Sequence, residues 1–197
     1  KVTKGGTFAI DLTELGNDGR FVWTSINQWQ WENLSVPQGT RLAPFRGQVV
    51  PAKPVFAQVS FDENGLVGEL RSGSLEVDND LVMLQGRAPA LGIQYEQGKL
   101  SASLENVLPV GRFVLASPLS EEQKRRQNVL AAVLQSSPNI SPEPMLAVWC
   151  KNVGLGFEFP SIKQRRGSSL LLLPIEFRRP KPGTKVAIPS TFISYSV

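Results

Sequence analysis

Leu91-Gly92-Ile93-Gln94-Tyr95-Glu96-Gln97-Gly98-Lys99-Leu100-Ser101-Ala102-Ser103-Leu104 reads as two strands joined by a turn. Leu91, Ile93 and Tyr95 alternate with Gln94 and Glu96, Gln97-Gly98 reverses the chain, and Leu100, Ala102 and Leu104 then alternate with Lys99, Ser101 and Ser103. Strict alternation across both arms means one packed face and one solvated face, which is the behaviour of an antiparallel sheet.

The same pattern extends upstream. Val55, Ala57, Val59 and Phe61 alternate before Asp62-Glu63-Asn64-Gly65 turns the chain into Leu66, Gly68 and Leu70, and Asn-Gly favours the left-handed dihedrals of a tight hairpin turn. Leu75 and Val77 are expected to pair with Leu81 to Leu84 across Asp78-Asn79-Asp80. These acid-rich turns lack the repeated oxygen ligands of a calcium loop, so turn chemistry explains them and no metal is expected. Thr7 to Leu12 and Phe21 to Ile26 read as a hairpin around Asn17-Asp18-Gly19, while Pro44, Pro51 and Pro54 push the stretch between them to a sheet edge.

One segment breaks the period of two. Ser120 and Gln123 form a capping box, Glu121 and Glu122 suit the positive end of a helix dipole, and Val129, Leu130, Val133 and Leu134 recur at helical spacing. An amphipathic α-helix is therefore expected over about 120–135, its Val/Leu stripe buried on the strands and Lys124, Arg125 and Gln127 in water, ending at Ser136-Ser137-Pro138. Downstream, Met145 to Cys150 and Leu170 to Phe177 are continuously apolar, which predicts burial on both faces, with Pro174 marking an edge, a bulge or a bend. Lys181-Pro182-Gly183-Thr184 reads as a turn into Val186, Ile188 and a last strand over Thr191 to Tyr195.

The expected fold is mainly β: an antiparallel, sandwich-like domain carrying one helix. Its parts are a β-region over 1–117, a helix packed on the sheets over 118–137, and C-terminal strands over 138–197 that complete the same domain or form a small second one. Leu66 to Leu100 is similar in cadence to immunoglobulin-like sandwich domains, without their Cys…Trp…Cys spacing. That resemblance implies a sandwich and no particular function.

Composition excludes more than it assigns. With 41% hydrophobic and 19% charged residues the chain has the means to bury a core, so disorder is not expected. The absence of histidine from all 197 residues removes Ser-His-Asp and Cys-His catalysis. A lone cysteine, Cys150, forms no internal disulfide and follows an apolar run that favours an inert thiol. Gly154-Leu155-Gly156 lacks the third glycine of a dinucleotide loop. The net charge of +4 is spread over Lys124-Arg125-Arg126, Arg165-Arg166 and Arg178-Arg179, runs too short for a nucleic-acid footprint. No catalytic residue, metal ligand or cofactor is singled out.

What remains is a non-enzymatic binding or scaffolding domain that meets a protein partner or itself. The chain opens without Met and without a basic-then-apolar leader, and carries no apolar run long enough to cross a bilayer. An extracytoplasmic or secreted fragment of a larger or membrane-anchored protein is expected. The alternative binding face is Trp23, Trp29 and Trp31, a tryptophan platform suited to carbohydrate or peptide, against the bland reading that these indoles are core. A histidine-free hydrolase with paired carboxylates is a second alternative.

Overall fold

The structure, a computed structural model, describes residues 3–10, 20–25, 28–32, 45–86, 88–136, 143–151, 167–189 and 192; for the strands before residue 52 it describes the backbone path. The chain divides into two units, Thr3–Val50 and the part from Pro51 onward.

The N-terminal unit contains β1 (Thr3–Ile10), β2 (Arg20–Ser25), β3 (Gln28–Glu32) and β4 (Phe45–Pro51). They form two separate two-stranded sheets, β1 with β4 and β2 with β3. The expected hairpin between Thr7–Leu12 and Phe21–Ile26 is thus corrected: β2 pairs antiparallel with β3, placing Trp23 opposite Trp29 and Phe21 opposite Trp31. Only Ile26 and Asn27 separate these two strands, so closing that loop costs less entropy than closing the longer one back to β1. The expected turn at Asn17-Asp18-Gly19 lies outside the described residues. In its two-stranded sheet β4 is an edge, which suits Pro51 at its end.

The second unit is a closed barrel, not a sandwich. Its strands are β5 (Phe56–Asp62), β6 (Gly65–Arg71), β7 (Leu81–Leu84), β8 (Leu91–Glu96), β9 (Lys99–Ala102), β10 (Met145–Lys151) and β11 (Ser168–Phe177). They run in the order β10-β11-β5-β6-β9-β8-β7, and β7 returns to β10. All pairs are antiparallel except β11 with β5, which is parallel from Ile175–Ala57 to Phe177–Val59. The sheet is thus mainly antiparallel, as expected, and the one parallel pair is what closes it into a barrel. Pro174 stands where β11 leaves β10 for β5, and the amide of Ile175 donates to Pro144 O at 3.3 Å. A residue without an N–H fits the point where a strand changes partner.

Alternation fills the barrel. Leu81 and Met83 of β7 and Leu146, Val148 and Cys150 of β10 point inward to a core shared with Leu66, Leu91, Ile93 and Leu100. The intervening Val82, Leu84, Ala147 and Trp149 form a second cluster on the outer face. Helix α1 (Glu121–Ser136) covers that outer patch with Leu130 and Leu134. This is why β7, and β10 from Met145 to Cys150, are apolar at every position. Burying Leu130 alone contributes roughly 1.5–3 kcal/mol.

The hairpin expected from Leu91 onward forms with Tyr95 opposite Leu100, and its turn residues Gln97 and Gly98 both take positive φ, 49° and 88°. Its second arm is shorter than expected. Ser103 leaves the strand and a 3-10 turn follows at Leu104–Asn106, so Leu104 is exposed and not inward-facing. In the β5–β6 turn Gly65, but not Asn64, takes positive φ; Asp62 Oδ1 accepts from the Asn64 amide at 2.8 Å and holds the turn. Val77 is corrected as well: it bridges to Cys150, not to the Leu81–Leu84 strand. Ile188 lies outside any strand, and of the expected strand over Thr191 to Tyr195 only Phe192, in a 3-10 turn, is described.

Candidate functional site

The segment before β7 is fastened to the last residues of β10. The amide of Asp78 donates to Trp149 O and that of Lys151 to Glu76 O, both at 2.8 Å, so the segment forms a short extra rung beside β10. The start of Asp78-Asn79-Asp80 is therefore fixed to the backbone of Trp149.

Helix α1 reaches the same place from the other side. Its capping box is present: the Ser120 amide donates to Gln123 Oε1 at 3.0 Å, and the Gln123 amide to Ser120 Oγ at 3.2 Å. The helix face differs from expectation. Arg126 and Leu130 are its buried residues, and Val129 is about half exposed. The stripe is rotated because residues three or four apart align along a helix, and Gln123, Arg126, Leu130 and Leu134 make that row.

Arg126 is the centre of the cluster. Its Nη2 donates to Asp78 Oδ2 and to Glu122 Oε1, each at 2.6 Å, and its Nη1 to Asp80 Oδ2 at 3.0 Å. Gln123 Nε2 donates to the other oxygen of Asp80 at 3.0 Å. The guanidinium lies 5.5 Å from the centroid of the Trp149 ring. Burial pulls the Arg126 pKa down, but the charge and hydrogen bond of Asp78, followed by the charges of Glu122 and Asp80, outweigh it and raise the value above the ordinary arginine range. The cation is permanently held.

Beside this cluster opens a cleft of about 850 Å³, walled by Asp78, Asp80, Arg126 and Trp149 and rimmed by Asn79, Arg125, Val129, Lys151 and Ser168. The rim is mixed. Arg125 and Lys151 make no ion pair among the described residues, while Glu122 is largely exposed. Trp149 is only 4% exposed, so its ring is a floor for Arg126 and not a platform for a ligand. Cys150, next to it, faces the barrel interior; burial and then the charge of Asp78 push its thiol up to about 11. Among the described residues no group of three or more His, Cys, Asp or Glu is arranged to hold a metal.

The sequence-selected tryptophans lie elsewhere, in the N-terminal unit, where Trp23 is the register partner of Trp29 and Trp31 that of Phe21. Asp78 and Asp80 had an adequate local explanation as turn residues, and Arg126 stood in a basic run. One signal was present: Arg126 precedes Leu130 by four residues and follows Glu122 by four, so a buried Leu130 draws it inward. Gly154-Leu155-Gly156 lies outside the described residues.

Comparison with known proteins returns no match: no family model, no curated protein and no solved structure is significantly similar to this chain.

Proposed function

We propose that this chain is a non-enzymatic binding domain whose cleft beside the N-terminal end of α1 receives a polar, charged segment of a protein partner. One observation carries the reading: Arg126 and Gln123 between them engage both oxygens of Asp80, and Arg126 holds Asp78 and Glu122. Carboxylates tied in this way form a rigid wall and are poorly placed as acid, base or nucleophile. A partner then meets the rim, where Arg125 and Lys151 supply cations, Asn79 and Ser168 hydrogen bonds, and Val129 an apolar contact. Preformed surfaces of this kind lose little freedom on binding.

The test is a photo-crosslinking side chain introduced at Asn79 or Val129, with exposed Leu104 as the control, in cells that express the whole protein. Discrete adducts from the cleft positions alone support the reading. Adducts that are the same from Leu104, or none, sink it. Turnover of aryl glycosides that Asp80→Asn abolishes would replace it with the hydrolase alternative.

A second reading is favoured by the register of β2 and β3. With Trp23 opposite Trp29 and Phe21 opposite Trp31, four aromatic residues occupy positions on one face of a two-stranded ribbon. Such a ribbon suits stacking on sugar rings. Red-shifted tryptophan emission that a soluble glycan protects from acrylamide supports it; shielded emission that no glycan alters removes it.

A further inference from the structure

The end of β11 runs into Arg178-Arg179-Pro180-Lys181-Pro182-Gly183-Thr184-Lys185, four cations with no acid among them. The loop is anchored at both ends on β5 and its turn. The Arg178 amide donates to Val59 O and the Ala187 amide to Asp62 O, each at 2.7 Å. Between these anchors Thr184 N donates to Lys181 O at 3.0 Å, with Gly183 at φ 84°, so the tip is a defined turn.

Every residue from Arg178 to Lys185 is exposed, and none of the four cations forms an ion pair among the described residues. The nearest acids in chain or register are Glu176, on the strand, and Asp62 and Glu63 in the β5–β6 turn, where Asp62 already accepts from Asn64. Beside the cations Val186 and Ile188 stand 40% and 38% exposed. A fixed loop thus offers four exposed cations along its length, with two exposed aliphatic side chains following the last of them.

We propose that this loop docks the barrel on a membrane surface rich in anionic phospholipid. Phosphate-bearing headgroups meet Arg178, Arg179, Lys181 and Lys185, and the exposed Val186 and Ile188 add apolar contact at the same interface. A single-stranded nucleic acid would be held by cations with aromatic rings free to stack on bases. The aromatic residue here, Phe177, is 40% exposed, but one side of its ring is stacked on Phe61 with centroids 5.9 Å apart, and a lone ring makes no stacking row for successive bases. The combination of cations with aliphatics favours lipid.

The loop and the cleft lie toward opposite ends of β11, since Ser168 lines the cleft and Phe177 precedes the loop. At about 3.3 Å per residue they are at most about 30 Å apart along the strand. A barrel seated by its loop therefore holds its cleft away from the lipid.

The test is co-sedimentation of the whole chain with vesicles of phosphatidylcholine alone or with roughly 30% phosphatidylserine. Binding is expected only to the anionic vesicles, and to weaken as salt shortens the Debye length. Each cation removed lowers partitioning about fivefold, so Lys181→Gln with Lys185→Gln lowers it about thirtyfold. Neither side chain makes a contact the fold needs, and an unchanged circular dichroism melt verifies this. Absence of binding to anionic vesicles, or equal binding by the double variant, overturns the proposal. Tighter binding to single-stranded RNA at equal phosphate concentration overturns it in favour of a nucleic acid.

Discussion

Replacing Arg126 with methionine keeps an unbranched stem beside Trp149 and removes the guanidinium that Asp78 and Asp80 share. The side chains of those aspartates are 20% and 18% exposed, so they are left largely desolvated without a cation. Breaking a buried ion pair from one side costs about 3–5 kcal/mol, and the residual exposure of both acids places this case near 3 kcal/mol. Glu122 adds little, because its carboxylate is 70% exposed and exposed i,i+4 pairs are worth about 0.3–0.5 kcal/mol. Urea unfolding monitored by circular dichroism reads the loss directly. With a slope of about 1–3 kcal/mol/M, the midpoint of Arg126→Met falls by about 1–3 M.

A second arm separates charge from packing. In the Arg126→Met background, Asp78→Asn with Asp80→Asn removes the stranded charges, and stability returns to within about 1 kcal/mol of the starting protein, since replacing a whole buried ion cluster is often near neutral. In the unaltered background the same asparagine pair is destabilising, because it leaves the buried cation with the largely exposed Glu122 as its remaining counter-charge among the described residues. A loss below about 1 kcal/mol in Arg126→Met would refute the buried cluster, and the ion pairs would then behave as exposed ones do. A triple variant no more stable than the single one would show that the loss is stem packing on Trp149.

Two further perturbations probe the barrel. The Cys150 thiol is held protonated to about 11 against an ordinary 9.0, so the stability it contributes is whole below about pH 9 and is lost as pH rises through about 11, roughly 3 kcal/mol in all. The stability advantage of the native chain over Cys150→Ala should therefore shrink by that amount across this window in urea titrations; an advantage that stays flat refutes a buried thiol. At Gly92 an added methyl would collide with the side chain of Leu115, so Gly92→Ala should cost about 1–3 kcal/mol and Leu115→Ala should recover much of it. Equal thermal midpoints for Gly92→Ala and the native chain would show that Leu115 swings aside freely.

Features set by neighbouring residues were legible in the sequence. The β8–β9 turn depends on Gln97-Gly98, and the start of α1 on Ser120 and Gln123; both form where their residues put them. Closure was not legible, because it rests on β11 lying parallel to β5, a pairing between residues more than a hundred apart whose apolar pattern suits a sandwich core equally well. The double-sided burial of Met145 to Cys150 was read correctly, yet the second layer is a helix and not a second sheet. The ion cluster was hidden for a related reason: Arg126 takes its partners from a loop 46 and 48 residues away, and neither stretch alone shows a charge out of place.

Closure also decides how the two proposed surfaces relate. In an open sandwich β11 would be an edge, free to fray; in the barrel it is paired with β10 from Ser168 to Pro174 and with β5 from Ile175 to Phe177. Every residue of the strand has a ladder partner, so Ser168 at the cleft and Phe177 at the basic loop are ends of one restrained element. Arg126 restrains the cleft end further by tying α1 to the Asp78–Asp80 loop, and the Arg178 and Ala187 amides restrain the other end on β5. Among the described residues, binding at one end then meets no element with two arrangements through which to act on the other, and allosteric coupling needs one. On the two proposals together, the barrel would act as a spacer. Partner binding at the cleft should leave the vesicle affinity of the loop unchanged when both reside on one molecule, and a thermodynamic cycle that shows coupling beyond about twofold would mean that β11 shifts register or that α1 lifts from the outer face.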